Sequence, residues 1–211
     1  RPLPRGVLER SHALVVWGVT SACGISLNVF LSWDAFLISL AAVLLLLVYS
    51  AWLKRHMLVG NILVALMTGT AFLYAGVVAG HPRKGIVPAS FAFLVNLSRE
   101  LVKDAEDVVG DRAHDARTLA VVAGPRAALF GAAGVLVVLI AGTFLPSAAR
   151  FYGTAYLVLI IPVDLVLAAA AVMAVRRPDR TRLSLTSRLL KLAMVLGLFA
   201  IVAGVMRWWE P

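Results

Sequence analysis

Long apolar stretches alternate with short polar connections along the whole chain. Seven of the stretches are long enough to cross the hydrocarbon core of a bilayer as helices, which takes about 20 mostly apolar residues. They lie at residues 11–32, 35–53, 57–79, 86–103, 124–145, 152–175 and 187–208. No stretch alternates polar and apolar residues over about ten positions, so a membrane β-barrel is not indicated. The pattern predicts an all-α, polytopic bundle of transmembrane helices.

Composition supports this fold class. Of the 211 residues, 61% are hydrophobic and 15% are charged, whereas a soluble domain has about 45–50% apolar and about 25% charged residues. So large an apolar excess excludes a soluble globular domain and a disordered chain. The single cysteine, Cys23, excludes a disulfide scaffold.

The positive charge of the chain is distributed unevenly between the predicted connections. The formal net charge is +9, with 20 Lys and Arg residues. If the N-terminal segment lies in the cytoplasm and the spans alternate, 16 of these 20 fall on the cytoplasmic side. The positive-inside rule expects this bias. We therefore interpret the charge as a topology signal of a multi-pass protein of the cell membrane, in contact with the bilayer and not with nucleic acid.

Acidic residues concentrate where the fourth predicted span reaches the cytoplasmic side. Six of the eleven lie between positions 100 and 115. On a continuous helix, Glu100, Asp104, Asp107 and Asp111 would share an arc of about 60°. Stacked like charges destabilise a helix by a few tenths of a kcal/mol per pair. A solvated helix end with ion pairs such as Lys103–Asp107 is the ordinary explanation, but the one-sided row favours a bridging divalent cation.

The chemistry expected at this row is that of a metal-bound pyrophosphate. Mg²⁺ binds proteins through one or two carboxylates and often completes its shell with phosphate oxygens. Basic side chains that could bind phosphate, among them Arg99, Lys103 and Arg117, lie within a few residues. The residues alone therefore predict a magnesium and pyrophosphate site facing the cytoplasm.

The same residues carry a family resemblance. The run N-L-S-R-E-L-V-K-D-A-E-D-V-V-G-D-R at 96–112, followed by R-T-L-A-V-V-A-G at 117–124, resembles the second aspartate-rich motif of the UbiA superfamily of membrane prenyltransferases. Within it, the match is closest to the geranylgeranylglyceryl-phosphate geranylgeranyltransferases. Weaker similarity covers Y-S-A-W-L-K-R at 49–55 with G-N at 60–61, and R-P-L-P-R-G at 1–6. The last three spans match only in hydropathy.

The resemblance implies one transmembrane prenyltransferase domain over residues 1–211, with seven spans of a nine-span UbiA-type fold. The family's first two helices and its first aspartate-rich motif, of N-D-x-x-D type, would lie upstream of Arg1. Two departures from the family pattern, Asp115 in place of Gly and Ala120 in place of Pro, bear on the choice of acceptor.

The implied reaction is the Mg²⁺-dependent transfer of a polyprenyl group, expected to be geranylgeranyl, from its diphosphate to a lipophilic acceptor. The expected acceptor is geranylgeranylglyceryl phosphate. Alternatives are an aromatic acceptor, as in quinone, tocopherol or chlorophyll pathways, and an inactive membrane remnant. A transporter or channel is less favoured, because the sequence shows no paired inverted repeats.

Site residues follow from the resemblance and from their positions. The predicted metal ligands are Asp104, Asp107 and Asp111, and the predicted catalytic residues are Asp107, Asp111 and Lys103. The predicted substrate-binding residues are Lys54, Arg55, Asn61, Asn96, Arg99 and Arg117. Equally good explanations exist for four of these, namely positive-inside anchoring for Lys54 and Arg55 and helix–helix hydrogen bonds for Asn61 and Asn96. Tyr49 is assigned to the interfacial aromatic belt, and Asp164, near the middle of the sixth span, has no assigned role.

Overall fold

The computed structural model describes residues 9–53, 56–113, 115–176 and 178–206, and within these ranges the regular structure is helical, without strands. The α-helices are α1 (Arg10–Val29), α2 (Trp33–Ala51), α3 (Val59–Val78), α4 (Ile86–Glu106), α5 (Val108–Ala113), α6 (Leu119–Val122), α7 (Pro125–Thr143), α8 (Leu145–Ala148), α9 (Thr154–Arg176) and α10 (Arg180–Val205). A 3₁₀ turn, Pro82–Gly85, leads into α4.

Seven segments of the described chain are long and apolar enough to span a membrane, which confirms the predicted all-α transmembrane bundle. They are Arg10–Val29, Trp33–Ala51, Val59–Val78, Pro82–Glu106, Pro125–Ala148, Thr154–Arg176 and Arg180–Val205. The largest difference from the predicted bounds is at the last span, which begins at Arg180 and not near residue 187. Asp179 caps this helix by accepting a hydrogen bond from the Arg182 amide at 2.9 Å, so the helix starts within the basic connection.

Helix α4 lies at the centre of the bundle and contacts α3, α7 and α10. Its buried side includes Ala89, Ala92, Val95 and Leu101, and small residues at several of these positions let neighbouring helices approach closely. In the turn before α4, a Cβ on Gly85 would lie 2.6 Å from the Phe72 carbonyl oxygen of α3. By contrast, α1 and α2 bury almost none of their residues within the bundle. They therefore present wide apolar surfaces that can contact lipid chains.

The helices that carry the predicted site meet at one end of the bundle, here called the motif end, which holds residues 99–111. The start of α3 reaches it through Asn61, which is hydrogen-bonded to Asp104 near the end of α4. The start of α10 reaches it through Arg188 and Lys191, which line a cleft together with Arg99. One continuous helix does not carry the whole row of acids through Asp111, because α4 ends at Glu106 and α5 begins at Val108.

Candidate functional site

An acidic cluster lies at the motif end, on the side of α4 that faces α3. The Asn61 amide nitrogen donates a hydrogen bond to Asp104 Oδ2 at 2.7 Å, and this bond joins residues 43 positions apart in the chain. The carboxylates of Glu100 and Asp111 lie close enough to Asp104 to interact with it electrostatically. The hydroxyl of Tyr49, near the end of α2, also lies close enough to Glu100 and Asp104 to interact with them electrostatically. We call these five residues the acidic cluster.

Local hydrogen bonds fix the position of Asp111. It lies on α5, and its backbone carbonyl accepts from the Ala116 amide at 2.9 Å, which folds the following loop back onto the helix. The Thr118 hydroxyl donates to Asp111 Oδ2 at 3.2 Å. Thr118 also caps α6 by accepting from the Val121 amide. Thr118, which belongs to the run at 117–124 after the aspartates, thus orients Asp111.

Glu100 is paired with basic neighbours. Its carboxylate contacts Arg99 Nη1 at 2.8 Å and Lys103 Nζ at 3.9 Å, and only 15% of its side chain is exposed. The ion pair of Lys103 within the described residues is therefore with Glu100 and not with Asp107. Sequence reasoning assigned Glu100 no separate role, although its spacing to Lys103 at i,i+3 is an ordinary signal for a helical ion pair.

Asp107 lies on a different side of α4 from Asp104. It lines a polar cleft of about 370 Å³ between the end of α4 and the start of α10. We call this the polar cleft, and its lining residues are Arg99, Lys103, Glu106, Asp107, Ser184, Ser187, Arg188 and Lys191. Within the described ranges, no three His, Cys, Asp or Glu side chains form a group able to hold a metal ion. The three predicted metal ligands therefore divide into the pair Asp104 and Asp111, in the acidic cluster, and Asp107, in the cleft.

The remaining predicted substrate-binding residues lie in different surroundings. Asn96 is buried and its amide nitrogen donates to the Thr68 hydroxyl at 3.1 Å, which is a hydrogen bond between α4 and α3. Arg117 is exposed on the connection between α5 and α6. Lys54 and Arg55 lie outside the described residues.

Asp164 belongs to a polar group at the opposite end of the bundle. Its Oδ2 lies 2.9 Å from the hydroxyl of Thr143, the last residue of α7. The Tyr156 hydroxyl donates to the Thr143 carbonyl at 2.7 Å. Asp164 Oδ1 is buried and has no hydrogen-bond partner. The contacts of Asp164 therefore join α7 to α9, away from the acidic cluster.

The chain is similar to known proteins over nearly its whole length. The chain is 37% identical over 207 residues to the digeranylgeranylglyceryl phosphate synthase of Thermococcus gammatolerans, covering 98% of this chain and 74% of that protein. It is 34% identical over 211 residues to the synthase of the same name from Methanothermobacter thermautotrophicus, covering 97% and 73%.

A solved structure from work on digeranylgeranylglyceryl phosphate synthase in membranes superposes with a TM-score of 0.83 at 27% identity, covering 98% of this chain and 74% of the other. The sequence profile of the UbiA prenyltransferase family matches residues 1–195. This is the family that the run at 96–112 predicts. Taken with the helical fold and the acidic cluster at its motif end, the profile match establishes that the chain belongs to the UbiA prenyltransferase family.

Proposed function

We propose that this membrane prenyltransferase moves a geranylgeranyl group from its diphosphate to geranylgeranylglyceryl phosphate, using Mg²⁺, at the cytoplasmic face of the cell membrane. The family supplies the reaction class, and the named relatives supply the acceptor. One observation supports placing the reaction at the motif end. The hydrogen bond from Asn61 holds the Asp104 carboxylate near that of Asp111, at the end of the apolar helix α4. Residues 1–211 act here as one transmembrane domain.

The donor set of the acidic cluster suits a hard divalent cation. Among the ion pairs of the described ranges, none includes Asp104, whereas Glu100 is compensated by Arg99 and Lys103. Asn61 is neutral, so it orients the Asp104 carboxylate without cancelling its charge. Asp104 and Asp111 would hold the ion, since Mg²⁺ binds through one or two carboxylates together with water and substrate phosphate oxygens. Mg²⁺ bound there would stabilise the negative charge that develops on the leaving diphosphate.

The protein's own residues provide orientation and exclude water. Thr118 restrains Asp111 through its hydroxyl. The diphosphate would lie beside the acidic cluster, and Lys54, Arg55 and Arg117 are proposed as the cations that bind it. As the allylic C–O bond breaks, the acceptor hydroxyl oxygen forms the new C–O bond and releases its proton. The apolar helices keep water from the cationic carbon.

An acceptor panel tests the proposal. Purified protein in nanodiscs would receive labelled geranylgeranyl diphosphate and Mg²⁺ with one of two acceptors, geranylgeranylglyceryl phosphate or an aromatic acid of the quinone-pathway type. We expect a labelled ether lipid from the first acceptor and no product from the second. Transfer to the aromatic acid alone would overturn the acceptor assignment. Failure with every acceptor, in well-folded protein, would favour an inactive remnant.

A further inference from the structure

The polar cleft between α4 and α10 has the composition of an anion site. Its lining includes four basic side chains, two acidic side chains and two serines, which gives a net charge of +2. Arg188 and Lys191 belong to no ion pair within the described residues, although they face the end of α4. Arg99 Nε has no hydrogen-bond partner among the described residues. Arg188 and Lys191 therefore remain available to an anionic group that enters the cleft.

An apolar cavity lies farther along the same two helices, away from the motif end. From α4 its lining includes Pro88, Ala92 and Val95, which lie on one helical stripe with Arg99 and Lys103 at spacings of three and four residues.

The matching stripe on α10 runs from Arg188 and Lys191 in the polar cleft to Met194, Leu198 and Ile201 in the cavity. The cavity, of about 80 Å³, admits a few methylene groups. We call the polar cleft and the cavity together the groove. Along α10 its lining changes from cationic to apolar over about 20 Å, at a rise of 1.5 Å per residue, which is more than half of the about 30 Å thickness of the hydrocarbon core.

We propose that this groove binds the acceptor lipid, with its phosphate monoester in the polar cleft and the start of its prenyl chain in the apolar cavity. Arg99, Arg188 and Lys191 would bind the phosphate, and the hydroxyls of Ser184 and Ser187 would donate to its remaining oxygens. The inference rests on the proposed function, because it takes a phosphorylated lipid as the acceptor. The donor's diphosphate has a separate place, at the acidic cluster on the α3 side of α4.

The phosphate half of the proposal is tested by removing two charges. In R188Q/K191Q, we expect the Kd of geranylgeranylglyceryl phosphate to rise by roughly tenfold or more, as loss of hydrogen bonds to a charged group predicts. The Kd of geranylgeranylglycerol, which lacks the phosphate, and the Kd of geranylgeranyl diphosphate with Mg²⁺ should stay within about twofold. The matched control is R180Q/R182Q, which removes two charges from the same helix outside the cleft. All variants are compared for monodispersity and Tm.

The apolar half is tested at Gly197, which lines the cavity. A Cβ there would meet only Val163 Cγ1, at 3.9 Å, so Gly197→Leu fills space without a backbone clash. We expect this variant to weaken binding of the phosphate lipid and of its alcohol alike. Unchanged affinity for both would show that the chain lies elsewhere.

Several outcomes would overturn the proposal. Unchanged acceptor affinity in R188Q/K191Q would remove the phosphate site, and an equal loss of donor affinity would assign the cleft to the diphosphate. A further experiment measures acceptor binding in nanodiscs that contain phosphatidic acid or phosphatidylglycerol. If these lipids compete for the cleft as strongly as the acceptor binds to it, the cleft is a general site for anionic headgroups and the proposal is wrong. If the wild-type protein binds the phosphate lipid through Arg188 and Lys191 but never prenylates it, the proposed function fails while the groove stands.

Discussion

The exchange Asp104→Asn separates a metal-binding role of this carboxylate from a structural role. The new amide oxygen can still accept the hydrogen bond that Asn61 donates at 2.7 Å, so the contact between α3 and α4 survives. The negative charge beside Glu100 and Asp111 is removed. If the charge of Asp104 serves only to bind a metal, Asp104→Asn should lose activity and keep its stability. If the charge is structural, the variant should lose stability and keep its activity.

The expected magnitudes follow from these contacts. Relief of repulsion between like charges is worth a few tenths of a kcal/mol per pair, so Asp104→Asn should unfold at the same temperature as the wild type or slightly higher. A bound metal supplies several kcal/mol of charge stabilisation. If loss of one of two carboxylates removes about 3 kcal/mol of it, the rate falls by roughly a hundredfold. Asp104→Ala should also lose about 1 kcal/mol of stability, because it leaves the Asn61 donor unpaired.

The assay measures initial rates of prenyl transfer at saturating Mg²⁺ together with thermal unfolding in detergent. Asp34→Asn is the matched control, since it makes the same chemical change at an exposed acid at the start of α2, at the opposite end of that helix from Tyr49. The control should keep wild-type activity. An Asp104→Asn protein within threefold of the wild-type rate would refute the ligand role. A loss of more than 1 kcal/mol of stability with normal activity would make Asp104 a structural residue.

Three further predictions concern the metal and the packing. Chelation by EDTA should abolish transfer and added Mg²⁺ should restore it, whereas activity that persists in EDTA would contradict a metal requirement. Gly85→Ala should destabilise the protein by about 1–3 kcal/mol, because its Cβ would lie 2.6 Å from the Phe72 carbonyl; a wild-type Tm would contradict this. Thr143→Val should cost about 1–3 kcal/mol in thermal unfolding by removing the hydroxyl that contacts the buried Asp164, and an unchanged Tm would show that this contact is dispensable.

Apolar length alone predicts the transmembrane helices, because a span of about 20 apolar residues satisfies its backbone only as a helix. It predicts their ends less well. Helix α10 begins at Arg180 because Asp179 caps it, although residues 180–182 are too polar to belong to an apolar run. A capping residue such as Asp179 is a helix-start signal that hydropathy does not contain.

The sequence predicts a group of acids at the motif end, but not which of them lie close together. Helical periodicity put Asp104, Asp107 and Asp111 on one face, which requires an unbroken helix. Helix α4 ends at Glu106, and two β-branched valines and a glycine follow Asp107, all of them weaker helix formers than alanine. The Asn61–Asp104 bond joins two helices, so no local spacing predicts it.

In the proposed arrangement, the end of α4 would present two kinds of phosphate site on two faces of one helix. Successive residues on a helix point about 100° apart, so Lys103 faces the polar cleft while its neighbour Asp104 bonds to α3. A metal-bound diphosphate needs anionic protein ligands, and a metal-free monoester needs cationic ones. On one face the two sets would neutralise each other as ion pairs, as Arg99 and Glu100 already do in part. With the two sets on different faces, Asp104 on one side and Arg188 and Lys191 on the other belong to no ion pair of the described residues, so two anionic groups could bind at the same helix end.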